Sequence, residues 1–250
     1  MDTQGAEIMD MKTSITTLFF DLDGTLRHNE PDGTAFFYDM AEKYGVHSSP
    51  DRRREAERWT HVYWASSVEL LQDLDTFGDW NNNGPFWTNH ARRHLMVLGV
   101  SGVEAARLAP TITQAILAEY DPVDIILDDV QPMLQALKES GRTLAVVSNR
   151  SQALGPMLND LGLAEYFDFS LAAGEVDYWK PDPRLLLHAA SMAGAQADEV
   201  VYVGDNYFAD VVCARQAGMT PILFDPKGLS PDADCVVISR MRELQDLFGE

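Results

Sequence analysis

Cysteine is nearly absent from this chain: Cys213 and Cys235 are the only two in 250 residues. Each stands in an apolar segment, where an isolated cysteine is ordinarily core, so no disulfide framework is implied. Long hydrophobic runs are missing too, and no stretch is long and apolar enough to span a bilayer. Basic residues are scarce, with 19 Lys and Arg against 39 Asp and Glu and a formal net charge of −20. So acidic a surface repels phosphate backbones and anionic membranes, which argues against nucleic-acid and membrane partners. It also repels an anionic substrate unless a cation or local basic groups offset the field. The first fourteen residues mix Asp, Glu, Gln and Lys and have no apolar leader core. They read as a frayed N-terminus on a cytoplasmic protein.

What is present is an ordinary globular balance, 46% apolar and 23% charged, in a chain long enough to bury a large core. Short β-rich apolar runs occur at residues 17–21, 143–148, 167–172, 200–204 and 221–225, with a weaker one at 235–238. Amphipathic segments near 131–140, 151–162, 183–194 and 209–217 lie between them. This alternation predicts an α/β fold, a parallel sheet covered by helices on both faces. Asp182 ahead of Pro183 reads as a helix start, and Gly141, Gly162 and Gly218 read as helix stops. Residues 34–120 break the rhythm. Phe36, Phe37, Met40, Ala41 and Tyr44 fall at helical spacing, as do Leu108, Ile112 and Ile116 behind the capping pattern Ser101-Gly-Val-Glu104. The block reads as an inserted helical subdomain with hinges at 27–33 and 120–124. A core of 15–33 and 121–250 remains.

The chemistry gathers where the strands end. After the first run come Asp21 and Asp23, in Phe19-Phe20-Asp21-Leu22-Asp23-Gly24-Thr25-Leu26. Past the second comes Ser148-Asn149-Arg150. Beyond the third, Lys180-Pro181 leads into a helix, and after the fourth comes Gly204-Asp205-Asn206-Tyr207-Phe208-Ala209-Asp210. A parallel sheet brings these sets to one edge, the usual place for a ligand site. Several carboxylates without a His-Cys cluster favour a hard, oxygen-seeking cation, Mg²⁺ above all with phosphates. A serine hydroxyl, backbone N–H groups and one lysine can hold phosphate oxygens.

Asp21-x-Asp23-Gly-Thr, Ser148, Lys180-Pro and Gly204-Asp205-x-x-x-x-Asp210 resemble the four ordered motifs of the haloacid dehalogenase superfamily. The helical block stands where that superfamily carries its C1 cap. The resemblance implies a Rossmannoid core, a mobile cap and Mg²⁺-dependent phosphatase chemistry on a small phosphorylated metabolite. It implies that Asp21 is the nucleophile and Asp23 the general acid/base, a carboxylate that the dehalogenases of the superfamily lack. Ser148, with the Asn149 N–H beside it, would bind the transferring phosphoryl group, although a serine here also suits a helix cap. Thr25 would either touch phosphate or serve its own turn. Lys180 would neutralise the phosphate and steady Asp21. Asp205 would ligate Mg²⁺ with Asp21 and the backbone carbonyl of Asp23. Asp210 would support the metal or Lys180 from behind, or start its helix, and Asn206 would reach the metal's surroundings.

In the cap block, Arg52, Arg53, Arg54 and Arg58 alternate with acids and read as a solvated, ion-paired helix face. Arg92, Arg93 and His94 read as surface too, with an anionic leaving group as the alternative. Trp59, Trp64, Trp80 and Trp87 read as cap core. Two other functions fit the same residues: a phosphomutase resembling β-phosphoglucomutase, which hands the phosphoryl group to a sugar, and a non-catalytic ligand-binding protein of this fold.

Overall fold

A computed structural model describes residues 14–81 and 83–249. The expected frayed segment lies, but for its last residue, outside the described residues. The chain divides into two compact units, one of residues 1–28 with 125–250 and the other of residues 29–124.

The first unit is built on a six-stranded parallel sheet in the order β5-β4-β1-β6-β7-β8. Its strands are β1 (Thr17–Phe20), β4 (Thr143–Ser148), β5 (Phe169–Ala172), β6 (Val200–Gly204), β7 (Thr220–Phe224) and β8 (Val236–Ile238). Central strands read as continuous apolar runs because helices cover both faces. The period of two then sorts each strand between two cores. Leu18, Phe20, Leu144, Val146, Val201 and Val203 face one core, and Phe19, Ala145, Val147, Val200 and Tyr202 face the other. A helix over Val130–Glu139 covers the first face with the fully buried Val130, Met133, Leu134 and Leu137. Each such side chain contributes about 1.5–3 kcal/mol relative to exposure. A helix over Arg184–Ala193 covers the second with Leu185, Leu186 and Ala189. Register fixes the functional edge: Phe20 is level with Val146 on one side and Val203 on the other. Asp21, Ser148 and Asp205 therefore leave the sheet at one end.

The segment expected to be helical over 151–162 is helical only over Gly155–Asp160. The stretches 27–33 and 120–124 hold something their polarity concealed. Arg27–Glu30 (β2) and Val123–Ile126 (β3) pair as a two-stranded ribbon, and the boundaries between the units fall within these strands.

The second unit is helical: α1 (Gly33–Lys43), α2 (Pro50–Trp64), α3 (Val68–Phe77), α4 (Gly84–Val97) and α5 (Gly102–Glu119). Each helix opens on a residue whose side chain accepts a backbone N–H of the first turn, respectively Asp32, Ser49, Ser67, Asn83 and Ser101. Such a cap stabilises its helix by about 1 kcal/mol. Phe37, Met40, Ala41, Leu95, Leu108 and Ile112 form one core of this unit. Tyr63, Leu70 and Phe86 form the other, with Trp59, Trp64, Trp80 and Trp87 packed against it.

Two expectations for this unit need correction. Arg93 does not lie on a free surface face: its Nε and Nη2 both reach Asp73 at 2.9 Å, and Tyr63 donates to the same carboxylate at 3.0 Å. A buried carboxylate, only 3% exposed, needs such partners. His94 is also buried, stacked on Phe37 with ring centroids 4.3 Å apart. Both residues were misread because their helix face meets neighbouring helices, α1 and α2 at His94 and α3 at Arg93, rather than open water. Arg52 and Arg53 do form ion pairs, with Glu55 and Glu42.

Candidate active site

Asp21 follows β1 directly, and its N–H continues the ladder to the Val203 carbonyl at 2.8 Å. Its carboxylate meets Lys180, whose Nζ donates to Asp21 Oδ1 at 2.7 Å, Asp210 Oδ1 at 2.7 Å and the Tyr202 hydroxyl at 2.8 Å. All three donor positions of the ammonium are thereby used. Tyr202 passes its own proton to the Val147 carbonyl at 2.7 Å, tying the lysine to β4 and β6. Burial alone would lower the Lys180 pKa, but Asp21 and Asp210 outweigh it and hold the group well above the ordinary lysine value. Burial pushes Asp21 up to about 6, against the downward pull of Lys180.

Asn149 positions the lysine from the backbone side. Its Oδ1 accepts the Lys180 N–H at 2.7 Å, and its Nδ2 donates to the Lys180 carbonyl at 3.0 Å. Ser148, buried at the end of β4, stands immediately before it.

The loop after β6 organises the acidic side. Asn206 Oδ1 accepts the N–H groups of Phe208 and Ala209, while the Asn206 N–H donates to Asp210 Oδ2 at 2.8 Å. Asn206 thus caps the π-helical turn Tyr207–Val211 and supports Asp210 through its backbone. Thr25 is fully buried and donates from Oγ1 to Asp205 Oδ1 at 3.1 Å, so its hydroxyl orients that carboxylate. Gly24 adopts φ +83°, and a Cβ there would lie 2.5 Å from Asp205 Oδ2. Only glycine accepts both the left-handed backbone and this close approach.

Asp21, Asp205 and Asp210 each offer a carboxylate oxygen, all within 4.8 Å of one another. Burial, then the charges of Asp210 and Asp21, raise Asp205 well above the ordinary carboxylate value, with Lys180 and Thr25 opposing. Three carboxylates against one lysine leave an excess of negative charge. Oxygen donors carrying that excess fit a hard divalent cation.

Asp23 stands apart from this cluster. Arg150 grips it with Nε on Oδ2 at 2.6 Å and Nη2 on Oδ1 at 2.8 Å, and Arg27 Nη1 adds a contact to Oδ1 at 2.8 Å. Burial favours its protonated form, but Arg150 and Arg27 outweigh that and hold its pKa below the usual value. Of the residues singled out from sequence, Asp21, Lys180, Asp205 and Asp210 come together directly, with Asn149, Thr25 and Asn206 bracing them. Tyr202 as a site residue, and the grip of Arg150 and Arg27 on Asp23, were not foreseen. Tyr202 carried a signal: a phenol inside an otherwise apolar, buried strand needs a hydrogen-bond partner.

Among the described residues no helix is long and apolar enough to cross a membrane. Residues 15–218 match the family model of haloacid dehalogenase-like hydrolases. The chain is 30% identical over 249 residues to a phosphoserine phosphatase of Thermus thermophilus, covering 92% of this chain and 97% of that one. It is 31% identical over 140 residues to the haloacid dehalogenase-like hydrolase domain-containing protein 3 of Homo sapiens, covering 55% of this chain and 56% of its relative. The crystal structure of a 2-haloacid dehalogenase from Pseudomonas syringae superposes with a TM-score of 0.52 at 26% identity, covering 93% of this chain and 97% of that one. With four motif segments meeting at one sheet edge and the family model matched over most of its length, the chain is an enzyme of the haloacid dehalogenase-like hydrolase family.

Proposed function

We propose that this enzyme is a Mg²⁺-dependent phosphomonoesterase that acts on a small phosphorylated metabolite through an aspartyl-phosphate on Asp21. The observation that carries the reading is the pair of carboxylates two residues apart, Asp21 on Lys180 and Asp23 on its own arginines. A hydrolase of alkyl halides has no alkoxide to protonate and no use for the second carboxylate, whereas a phosphatase needs it twice. The phosphatase name of the Thermus relative supports the same reaction class.

In the first half-reaction an Asp21 carboxylate oxygen attacks phosphorus. The P–O bond to the alcohol breaks, and Asp23 gives the departing alkoxide a proton it took from water in the preceding turnover; the arginines that keep its protonated fraction small also make it the stronger acid. In the second, water attacks the phosphorus of the acyl-phosphate, Asp23 takes a proton from it, and the bond to Asp21 breaks to release phosphate. Lys180 holds Asp21 in place and offsets charge that would otherwise repel the phosphate dianion. Ser148, with the Asn149 N–H beside it, would receive the phosphoryl oxygens. The cation would be held by Asp21, Asp205 and the backbone carbonyl of Asp23, with Asp210 beside them; when bound it supplies charge neutralisation at the phosphoryl group.

The test is hydrolysis of a panel of phosphate esters spanning phosphosugars, phospho-amino acids, phosphoglycolate and nucleotides. Release of inorganic phosphate that needs Mg²⁺, stops with a chelator and vanishes in Asp21→Asn is expected. An inert wild-type protein across the whole panel would refute the proposal.

A further inference from the structure

We propose that Arg150 is a positioning residue for Asp23, assisted by Arg27, and that it sets which leaving groups the enzyme can expel. This rests on the reading of Asp23 as the acid/base. The geometry is specific. Asp23 is the more loosely enclosed of the two motif carboxylates, its side chain 38% exposed against 9% for Asp21. It lies outside the network of Lys180, Tyr202 and Asp210 that immobilises Asp21. Without partners, its two side-chain torsions would leave the carboxylate free to turn. Arg150 removes that freedom by engaging both oxygens in a planar fork, the arrangement that fixes the plane of a carboxylate as well as its position. Arg27 Nη1 adds a contact to Oδ1, whereas the Arg150 fork holds both oxygens. Its contribution is therefore smaller.

Arg150 is itself fixed from the fold. It follows Ser148-Asn149 at the end of β4, its N–H bonds to the Ser148 carbonyl at 2.8 Å, and its carbonyl accepts the Gly174 N–H at 2.9 Å. One short segment thus supplies the phosphate-facing serine, the asparagine that pins Lys180 and the arginine that aims Asp23. The two halves of the chemistry, the nucleophile with its lysine and the acid with its arginine, are referenced to the same strand end. A displacement of about 1 Å in a reacting group can cost on the order of 100-fold in rate, so this shared reference has kinetic weight.

The consequence depends on the alcohol. An alkyl phosphate expels an alkoxide that needs the Asp23 proton, whereas p-nitrophenyl phosphate expels a stable phenolate that does not. The experiment compares kcat/KM, which reports the phosphoryl-transfer step, for p-nitrophenyl phosphate and for the alkyl phosphate the wild-type enzyme hydrolyses fastest. The variants are Arg150→Met, Arg150→Lys, Arg27→Met and Asp23→Asn. Arg150→Met is expected to lower the alkyl-to-aryl ratio by about 30-fold, less than the roughly 10²–10⁴ that complete loss of a general acid costs, because the carboxyl stays but is misaimed. Arg150→Lys, with one donor axis, is expected to restore part of it, and Arg27→Met to move it less. Equal losses on both substrates would make Arg150 a structural or phosphate-binding residue and overturn the proposal, as would a ratio that does not move. If Asp23→Asn also leaves the ratio unmoved, the acid/base reading itself fails; if only the arginine variants leave it unmoved, that reading stands and this one alone falls. Because Arg150 is half-exposed, thermal unfolding of each variant separates a lost fold from a lost orientation, and Arg150→Lys carries the test should the methionine variant not fold.

Discussion

Replacing Lys180 with methionine removes the cation on which the buried charges of the site depend. Methionine keeps the length and apolar stem but leaves Asp21, 7% exposed, and Asp210, 1% exposed, without their shared partner. Breaking a buried ion pair from one side costs about 3–5 kcal/mol, because the remaining charge is stranded in a poorly solvated place. For a chain of this size that corresponds to a fall in Tm of roughly 6–20 °C. The effect has a sign in pH. Burial already pushes Asp21 up to about 6, and in the variant it loses the downward pull of Lys180; its carboxyl then favours the fold while protonated, and that contribution is lost as pH rises through the folded value. The deficit against the wild type must therefore be largest near pH 8 and shrink toward pH 5. Calorimetry at both pH values, with and without Mg²⁺, measures this directly, and added Mg²⁺ should recover part of the loss at the higher pH. A drop in Tm under about 2 °C at pH 8, or a deficit that does not shrink in acid, would refute the reasoning.

The helical unit should be acid-labile. Burial holds His90 down to about 4 and His94 down to about 3, Asp73 opposing for His90 and the charge of His90 adding for His94. Their Nε2 atoms have no hydrogen-bond partner among the described residues. A depressed histidine stabilises the fold when neutral, so that contribution is complete above about pH 6.5 and is lost as pH falls toward the folded values, by about 2 kcal/mol for each histidine at pH 5. Fluorescence of Trp59, Trp64, Trp80 and Trp87 should report the transition, and His94→Phe should shift its midpoint to lower pH. Tyr202→Phe removes the hydroxyl between Lys180 and the Val147 carbonyl. It is expected to cost about 1–3 kcal/mol in chemical denaturation and to lower kcat more than it raises KM.

The core of the fold was legible because its strands are buried on both faces. Thr143–Ser148 and Val200–Gly204 are unbroken apolar runs with the bounds their sequence suggests. Arg27–Glu30 was not legible as strand, since a partly exposed ribbon of Arg, His, Asn and Glu carries neither alternation nor an apolar run. At the site, Asp21, Lys180, Asp205 and Asp210 were readable because parallel topology dictates that residues after successive strands converge. The contacts that tune them were not. Arg27 stands only four residues after Asp23, but Arg150 comes from the end of β4, and nothing local in the sequence reveals that the Asp23 carboxylate lies between them. Thr25 shows the same limit. Its place in the motif suggested phosphate or a turn, and only the packing of β1 beside β6 reveals that its hydroxyl belongs to Asp205. The misreading of Arg93 and His94 has a related origin, because a helix that buries an ion pair and two histidines mimics a polar outer face.

The central claim is that Asp21 carries the phosphoryl group during turnover. Quenching the enzyme in acid while it is hydrolysing a phosphate ester, then mapping its peptides by mass, tests this directly. The account predicts a phosphoryl group on the peptide that contains Asp21, absent without substrate and absent in Asp21→Asn. Steady release of phosphate with an unmodified Asp21 peptide, or with the phosphoryl group on another residue, would contradict it.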